Sequence, residues 1–104
     1  MARLNWSERS VNDLRSIGEY IANDSPKYAR MTVNSIREKA RLLIKFPGLG
    51  RVVPETDDKK IREIIYGSYR IIYIVFFEKV FIITVHHSAK QLSTEEIKRY
   101  LNDG

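Results

Sequence analysis

A chain of 104 residues, 43% of them apolar and 30% charged, is long enough to bury a core without staples and is expected to form a single domain over 1–104. It has no cysteine, which excludes disulfides and thiolate metal sites. The formal charge of +5 permits nucleic acid or an acidic protein as partner, selects neither, and also serves solubility. The opening MARLNWSERS has no apolar h-region, and no apolar run approaches the roughly 20 residues of a membrane span. A cytoplasmic location with no membrane partner is therefore expected.

Ala2, Leu4 and Trp6 alternate with Arg3 and Asn5, which predicts a short strand with one apolar face. Ser7 then stands where an N-cap belongs, with Glu8 in the first turn. Val11, Leu14, Ile17 and Ile21 give the following helix an apolar stripe. Gly18 inside it is weak in helix propensity and marks a point of close helix packing. Asn23-Asp24-Ser25-Pro26 ends this helix and starts another, Ser25 as N-cap and Pro26 in the first turn. Ala29, Val33, Ile36, Ala40 and Leu43 repeat with helical spacing until Pro47-Gly48. The link is so short that the helices must fold back as an αα-hairpin. Their charged faces (Arg15, Glu19, Lys27, Arg30, Arg37, Lys45) read as solvated surface.

Gly48 to Lys59 shows neither period and reads as the longest loop. Lys60 to His87 is rich in Ile, Val, Tyr and Phe, and turn signals at Gly67-Ser68 and Glu78-Lys79 divide it into an antiparallel meander. Both faces of its strands are apolar. The helical hairpin covers one face, and the C-terminal helix, a partner, or both must cover the other. That last helix follows Ser93-Thr94-Glu95-Glu96, a capping box, and carries Ile97, Tyr100 and Leu101 on one side. The fold class is thus α+β: an N-terminal strand and an αα-hairpin packed on an antiparallel sheet, with a short C-terminal helix.

No phosphate loop, HExxH, GxSxG or Cys/His cluster is present, so no cofactor and no metal are expected. The polar residues embedded in apolar strands are Lys60, Arg62, Glu63, Arg70, Thr84, His86 and His87, with Arg51 and Glu55 flanking Pro54 in the loop. A cation at Arg70 opening an apolar strand needs a partner. It either contacts phosphate or carboxylate of a ligand, or forms a structural ion pair with Glu63 or Glu55. His86 and His87 are strand neighbours, so their side chains point to opposite faces and make a poor chelating pair. One is expected to pack at the strand end. Histidine also suits acid–base chemistry near neutral pH.

Gly50-Arg51-Val52-Val53-Pro54-Glu55, Ile61-Arg62-Glu63, Gly67-Ser68-Tyr69-Arg70-Ile71-Ile72-Tyr73 and Val85-His86-His87-Ser88-Ala89-Lys90 together resemble the RelE/ParE superfamily of bacterial toxins. Asp24 to Ala29 (DSPKYA) is similar to the opening of that family's second helix. The resemblance spans nearly the whole chain in order. It implies a toxin of a type II toxin–antitoxin pair, causing growth arrest and serving plasmid stabilisation. Its partner would be a cognate antitoxin, acidic and folding on binding.

The superfamily includes ribosome-dependent mRNA endoribonucleases and inhibitors of DNA gyrase. GRxVPE followed by IRE and YRIIY is similar to the gyrase-inhibiting ParE side, which implies gyrase as target and no catalytic residue. If the chain were an RNase, the resemblance would assign catalysis to Lys60, Arg62, Arg70, His86 and His87. The RNase type carries a further arginine on the last strand, whereas Val80 to Val85 is uncharged here. Functional candidates on either reading are Arg51, Glu55, Arg62, Glu63, Arg70, His86 and His87. The alternatives are a ribosome-dependent nuclease acting on mRNA and a non-toxic binding module of the same fold.

Overall fold

The protein is described by a computed structural model over residues 2–103. Strand β1 (Arg3–Trp6) leads into helices α1 (Glu8–Ala22) and α2 (Pro26–Lys45). A two-residue strand β2 (Arg51–Val52) precedes the meander β3 (Ile61–Tyr66), β4 (Tyr69–Phe76) and β5 (Lys79–His87). Helix α3 (Thr94–Asp103) closes the chain. The α+β architecture is the expected one.

The local signals explain the boundaries. Ser7 accepts from Ser10 N at 3.0 Å and donates to the Ile83 carbonyl at 2.7 Å, so one buried hydroxyl both caps α1 and ties it to β5. Ser25 caps α2 by accepting from Tyr28 N. Ser93 accepts from Glu96 N at 3.1 Å, the forward bond of the capping box at α3. A Cβ placed on Gly18 would meet Val33 Cγ2 at 3.3 Å, which explains why α1 carries glycine where it crosses α2. Val11 stays exposed, and the small Ser10 takes the buried position beside Leu14.

The sheet order is β1-β5-β4-β3-β2. β1 runs parallel to β5, and the other pairings are antiparallel. Three features differ from the sequence reading. Arg51–Val52, read as loop, pairs with Arg62–Glu63; a two-residue strand is too short to show a period. The second hairpin turns at Phe77-Glu78 rather than Glu78-Lys79, because Phe76 pairs with Lys79. At that turn Phe77 has φ 56, whereas in the first hairpin a glycine, Gly67 at φ 55, supplies the left-handed conformation. Finally, Ile72 pairs with Thr84 but Tyr73 with Ile82, leaving Ile83 as an extra residue in β5.

Two cores result. Leu14, Ile36, Ala40 and Leu43 from the helices pack on Ile64, Ile71, Tyr73, Val80, Ile82 and Val85. On the other face Val53, Leu92, Ile97 and Tyr100 cover Ile61, Ile72 and Ile83. The loop and α3 thus cover the second face within the chain. Arg9 of α1 stacks on the Tyr100 ring at 3.7 Å, tying α1 to α3. Among the described residues no helix is long and apolar enough to cross a membrane.

Candidate functional site

The charged residues of the meander divide by strand parity. Glu63 is opposite Ile72 in the register, and Arg70 is opposite His86. Glu63, Arg70, Ile72 and His86 therefore share the α3 face. Arg62 is opposite Tyr73 and lies on the helical-hairpin face, as does His87 opposite Tyr69.

On the α3 face a chain of four charges forms. Each guanidinium nitrogen of Arg70 donates to a carboxylate. Nε and Nη2 reach Glu63 Oε1 at 2.6 Å, and Nη1 and Nη2 grip the two Glu55 oxygens at 2.8 Å. Glu63 passes its second oxygen to Arg51 Nε at 2.7 Å. The Glu63 side chain is fully buried and that of Arg70 is 9% exposed, while Arg51 lies largely in solvent. Two guanidinium and two carboxylate groups leave the chain without net charge. Fork-to-fork geometry of this kind is what makes burial of such charges tolerable. The Arg70 hydrogen bonds hold the Glu55 carboxyl below its ordinary range, and the same bonds to Glu55 raise Arg70 further. Thr94 donates its hydroxyl to the Glu55 carbonyl, so the network also fixes the start of α3.

His86 is buried beside this network, and its Nε2 has no hydrogen-bond partner. Burial, then Lys90 and Arg70, lower its pKa below the ordinary imidazole value, so the ring is neutral at neutral pH. His87 is exposed. Its Nδ1 accepts from Ala89 N at 3.1 Å, and its ring meets Tyr69 edge-on at 5.7 Å. Arg62 Nη1 donates to the Gly50 carbonyl at 2.8 Å. Lys60 is exposed where the chain enters β3. The fold thus brings Arg51, Glu55, Glu63 and Arg70 together with His86 beside them. It places Arg62 and His87 on the opposite face of the sheet.

Some linking residues carry little sequence signal. Asp13 accepts from the Thr84 hydroxyl and, at 3.0 Å, from Val85 N, satisfying β5 where β1 no longer accompanies it. In sequence Asp13 belongs to a polar helix face; only the demand of Thr84 for a partner within an apolar strand points to it. Tyr73 accepts from Gly50 N and donates to the Pro47 carbonyl, both at 2.9 Å, and so fixes the loop that carries Arg51. Among the described residues no group of three or more His, Asp or Glu could hold a metal ion.

Residues 4–92 match the family described as the ParE toxin of the type II toxin–antitoxin system parDE. The chain is 31% identical over 91 residues to Toxin RelE2 of Caulobacter vibrioides, covering 86% of this chain and 99% of the relative. Among solved structures, the chromosomal ParDE system of P. aeruginosa superposes with a TM-score of 0.69 at 20% identity, over 84% of this chain and 96% of the other. A double Arg-to-Ala mutant of E. coli toxin RelE in the free state gives 0.64 at 22% identity, over 95% and 98%. The structural likenesses establish a shared fold.

Proposed function

The chain belongs to the ParE toxin family of type II toxin–antitoxin systems, and from that premise we propose that it arrests growth by inhibiting DNA gyrase. The observation that carries this reading is the state of Arg70. An RNase of this fold needs a cation free to stabilise charge developing on a phosphate. Arg70, at the position the nuclease pattern would use, spends all three guanidinium nitrogens on Glu55 and Glu63. On the other face of the sheet Arg62 opposes Tyr73 while His87 opposes Tyr69, four residues along β4, so this base and cation stand roughly 13 Å apart along the sheet, too far to serve one phosphate.

The similarity to Toxin RelE2 favours a second reading, ribosome-dependent mRNA cleavage. Purified toxin tested in parallel on gyrase supercoiling and on ribosome-bound mRNA separates the two. We expect inhibition of supercoiling at stoichiometric ratios and intact mRNA. Codon-positioned cleavage, abolished by Arg70→Ala in a folded protein, would refute gyrase as the target.

The partner is a cognate antitoxin whose binding segment is acidic and orders on contact. A hollow between α1 and α2 supports this. It is lined by Gly18, Ala22, Ala29 and Val33, with Arg30 and Arg37 against a single acid, Glu19, apolar ground with a surplus of cations. Co-expression with the neighbouring reading frame should yield a tight complex and relieve growth arrest. A neighbour that neither binds nor protects would count against the assignment.

A further inference from the structure

The β4–β5 turn carries a feature that the ion-pair chain and the cores do not use. The first loop residue of a two-residue hairpin with positive φ is ordinarily Gly, Asn or Asp. Here it is Phe77, at φ 56 and 88% exposed. Its ring meets that of Phe76, itself 54% exposed, at 4.6 Å edge-on. A bulky residue held in a left-handed conformation, its ring in water but for the edge contact with Phe76, gains little from the fold, so the residue choice points to something outside it. The tip is also braced, because Arg3 N donates to the Glu78 carbonyl at 2.8 Å.

Cations stand on both sides of the rings at the same end of the sheet. Lys79 is opposite Phe76 on one side and Arg3 on the other. Across β4, Val75 N donates to the Lys60 carbonyl at 3.0 Å. All three cations are exposed. From β1 to β3 there are three inter-strand gaps, roughly 14 Å in all. An open hollow at the tip is lined by Arg3, Phe77, Glu78 and Lys79.

We propose that this tip binds duplex DNA, with the phenyl rings entering at a base step while Arg3, Lys79 and Lys60 contact phosphates on either side. Apolar wedges flanked by cations are how proteins unstack a base step, and rings stack on any base. A pocket on a protein would accept the rings but gives no role to cations on both sides. Two rings offer too little apolar surface to hold a membrane interface. Glu78 is the acid that faces the same phosphates and works against binding. The inference goes beyond gyrase inhibition and is tested without gyrase.

The full chain is titrated into a short duplex carrying 2-aminopurine. Binding is expected, with a rise in fluorescence as the base unstacks. Phe77→Gly should weaken binding about tenfold or more and abolish the rise. Its thermal midpoint should stay close to wild type, since glycine accepts the positive φ. Arg3→Gln and Lys79→Gln should each flatten the slope of log K against log salt by about 0.9, while Phe77→Gly leaves the slope unchanged. Glu78→Gln should tighten binding. Absence of binding overturns the proposal, as does unaltered binding by Phe77→Gly. Phe77-dependent binding to phosphatidylglycerol vesicles without binding to the duplex also overturns it. Duplex binding that needs Phe77 upholds it even if gyrase proves not to be the target.

Discussion

Arg70 and Glu63, on adjacent strands of the meander, meet at 2.6 Å with side chains 9% and 0% exposed. Neither has water to fall back on. The pair survives burial because Glu55 and Arg51 complete its hydrogen bonding at either end.

Arg70→Ala should therefore act first on stability. It leaves the buried Glu63 carboxylate with Arg51 alone, and a loss of about 3–5 kcal/mol is expected in urea titration. Arg70→Lys should recover little, since an ammonium cannot span two carboxylates with a planar fork. A loss below about 0.5 kcal/mol, the range of ordinary surface substitutions, would mean that the ion-pair chain contributes nothing to folding. Any toxicity assay of Arg70 variants must accordingly be read beside their stability.

Stability should fall on mild acidification because of His86. Its pKa is lowered in the fold, chiefly by burial, so the unfolded chain takes up the proton first, near pH 6.5. The contribution of neutral His86 is complete above that value and is lost as pH falls through it toward the lower folded pKa. Asp13 and Glu96 oppose the shift without reversing it. Glu55, held low by Arg70, adds a second loss below about pH 4.3, where its unfolded form protonates. Urea midpoints at about pH 7.5 and about pH 5.5 should differ for wild type and converge for His86→Gln, which cannot be protonated. Equal pH sensitivity in the two proteins would refute the assignment.

Gly50→Ala should be severely destabilising. The added Cβ would stand 2.3 Å from the Glu63 carbonyl oxygen and 2.7 Å from the Tyr73 hydroxyl, and the first obstacle is backbone. A loss of at least about 1–3 kcal/mol is expected. Tyr73→Phe leaves Gly50 N and the Pro47 carbonyl without their partner and should cost about 1–3 kcal/mol. Thermal melts of both variants decide this, and a wild-type midpoint for Gly50→Ala would mean that the loop moves freely away from β3.

Ile36→Ala and Ile72→Ala should each cost about 2–5 kcal/mol, because both side chains are 0% exposed. The two deletions act on different cores: Ile36 lies under the helices, Ile72 under α3 and the loop. Removing α3 should therefore weaken the effect of Ile72→Ala while leaving that of Ile36→Ala in place. Equal effects in the shortened chain would refute the separation of the cores.

Ile72 shows how far the sequence could be read. From the sequence, Ile72 is expected with Ile36 in the core between hairpin and sheet. Its burial follows from an apolar strand, but with apolar residues on both sides the alternation does not say which face meets the helices, and Ile72 lies beneath α3 instead. The caps at Ser7, Ser25 and Ser93 were legible because each follows local chemistry. The turn at Phe77 was not, since nothing in an aromatic residue announces positive φ. The place of β1 beside β5 depends on pairing across most of the chain, which no local pattern encodes. At the site, an ion pair from Arg70 to Glu63 or Glu55 was one of two readings, and the guanidinium has enough donors to take both. Asp13 gave no signal of its own.

The parallel pairing of β1 with β5 also sets an order in time. Residues 3–6 leave the ribosome before the helices and the meander but find their register only with residues 79–82, and the Ser7 hydroxyl that caps α1 waits for the Ile83 carbonyl. Contacts so distant in sequence form late, after the local meander and helices. A nascent chain that stops before Lys79 has neither the strand that receives its N-terminus nor the wall that closes the helical core. A fragment that ends before Lys79 should thus be harmless, and toxicity should appear only once β5 has been made.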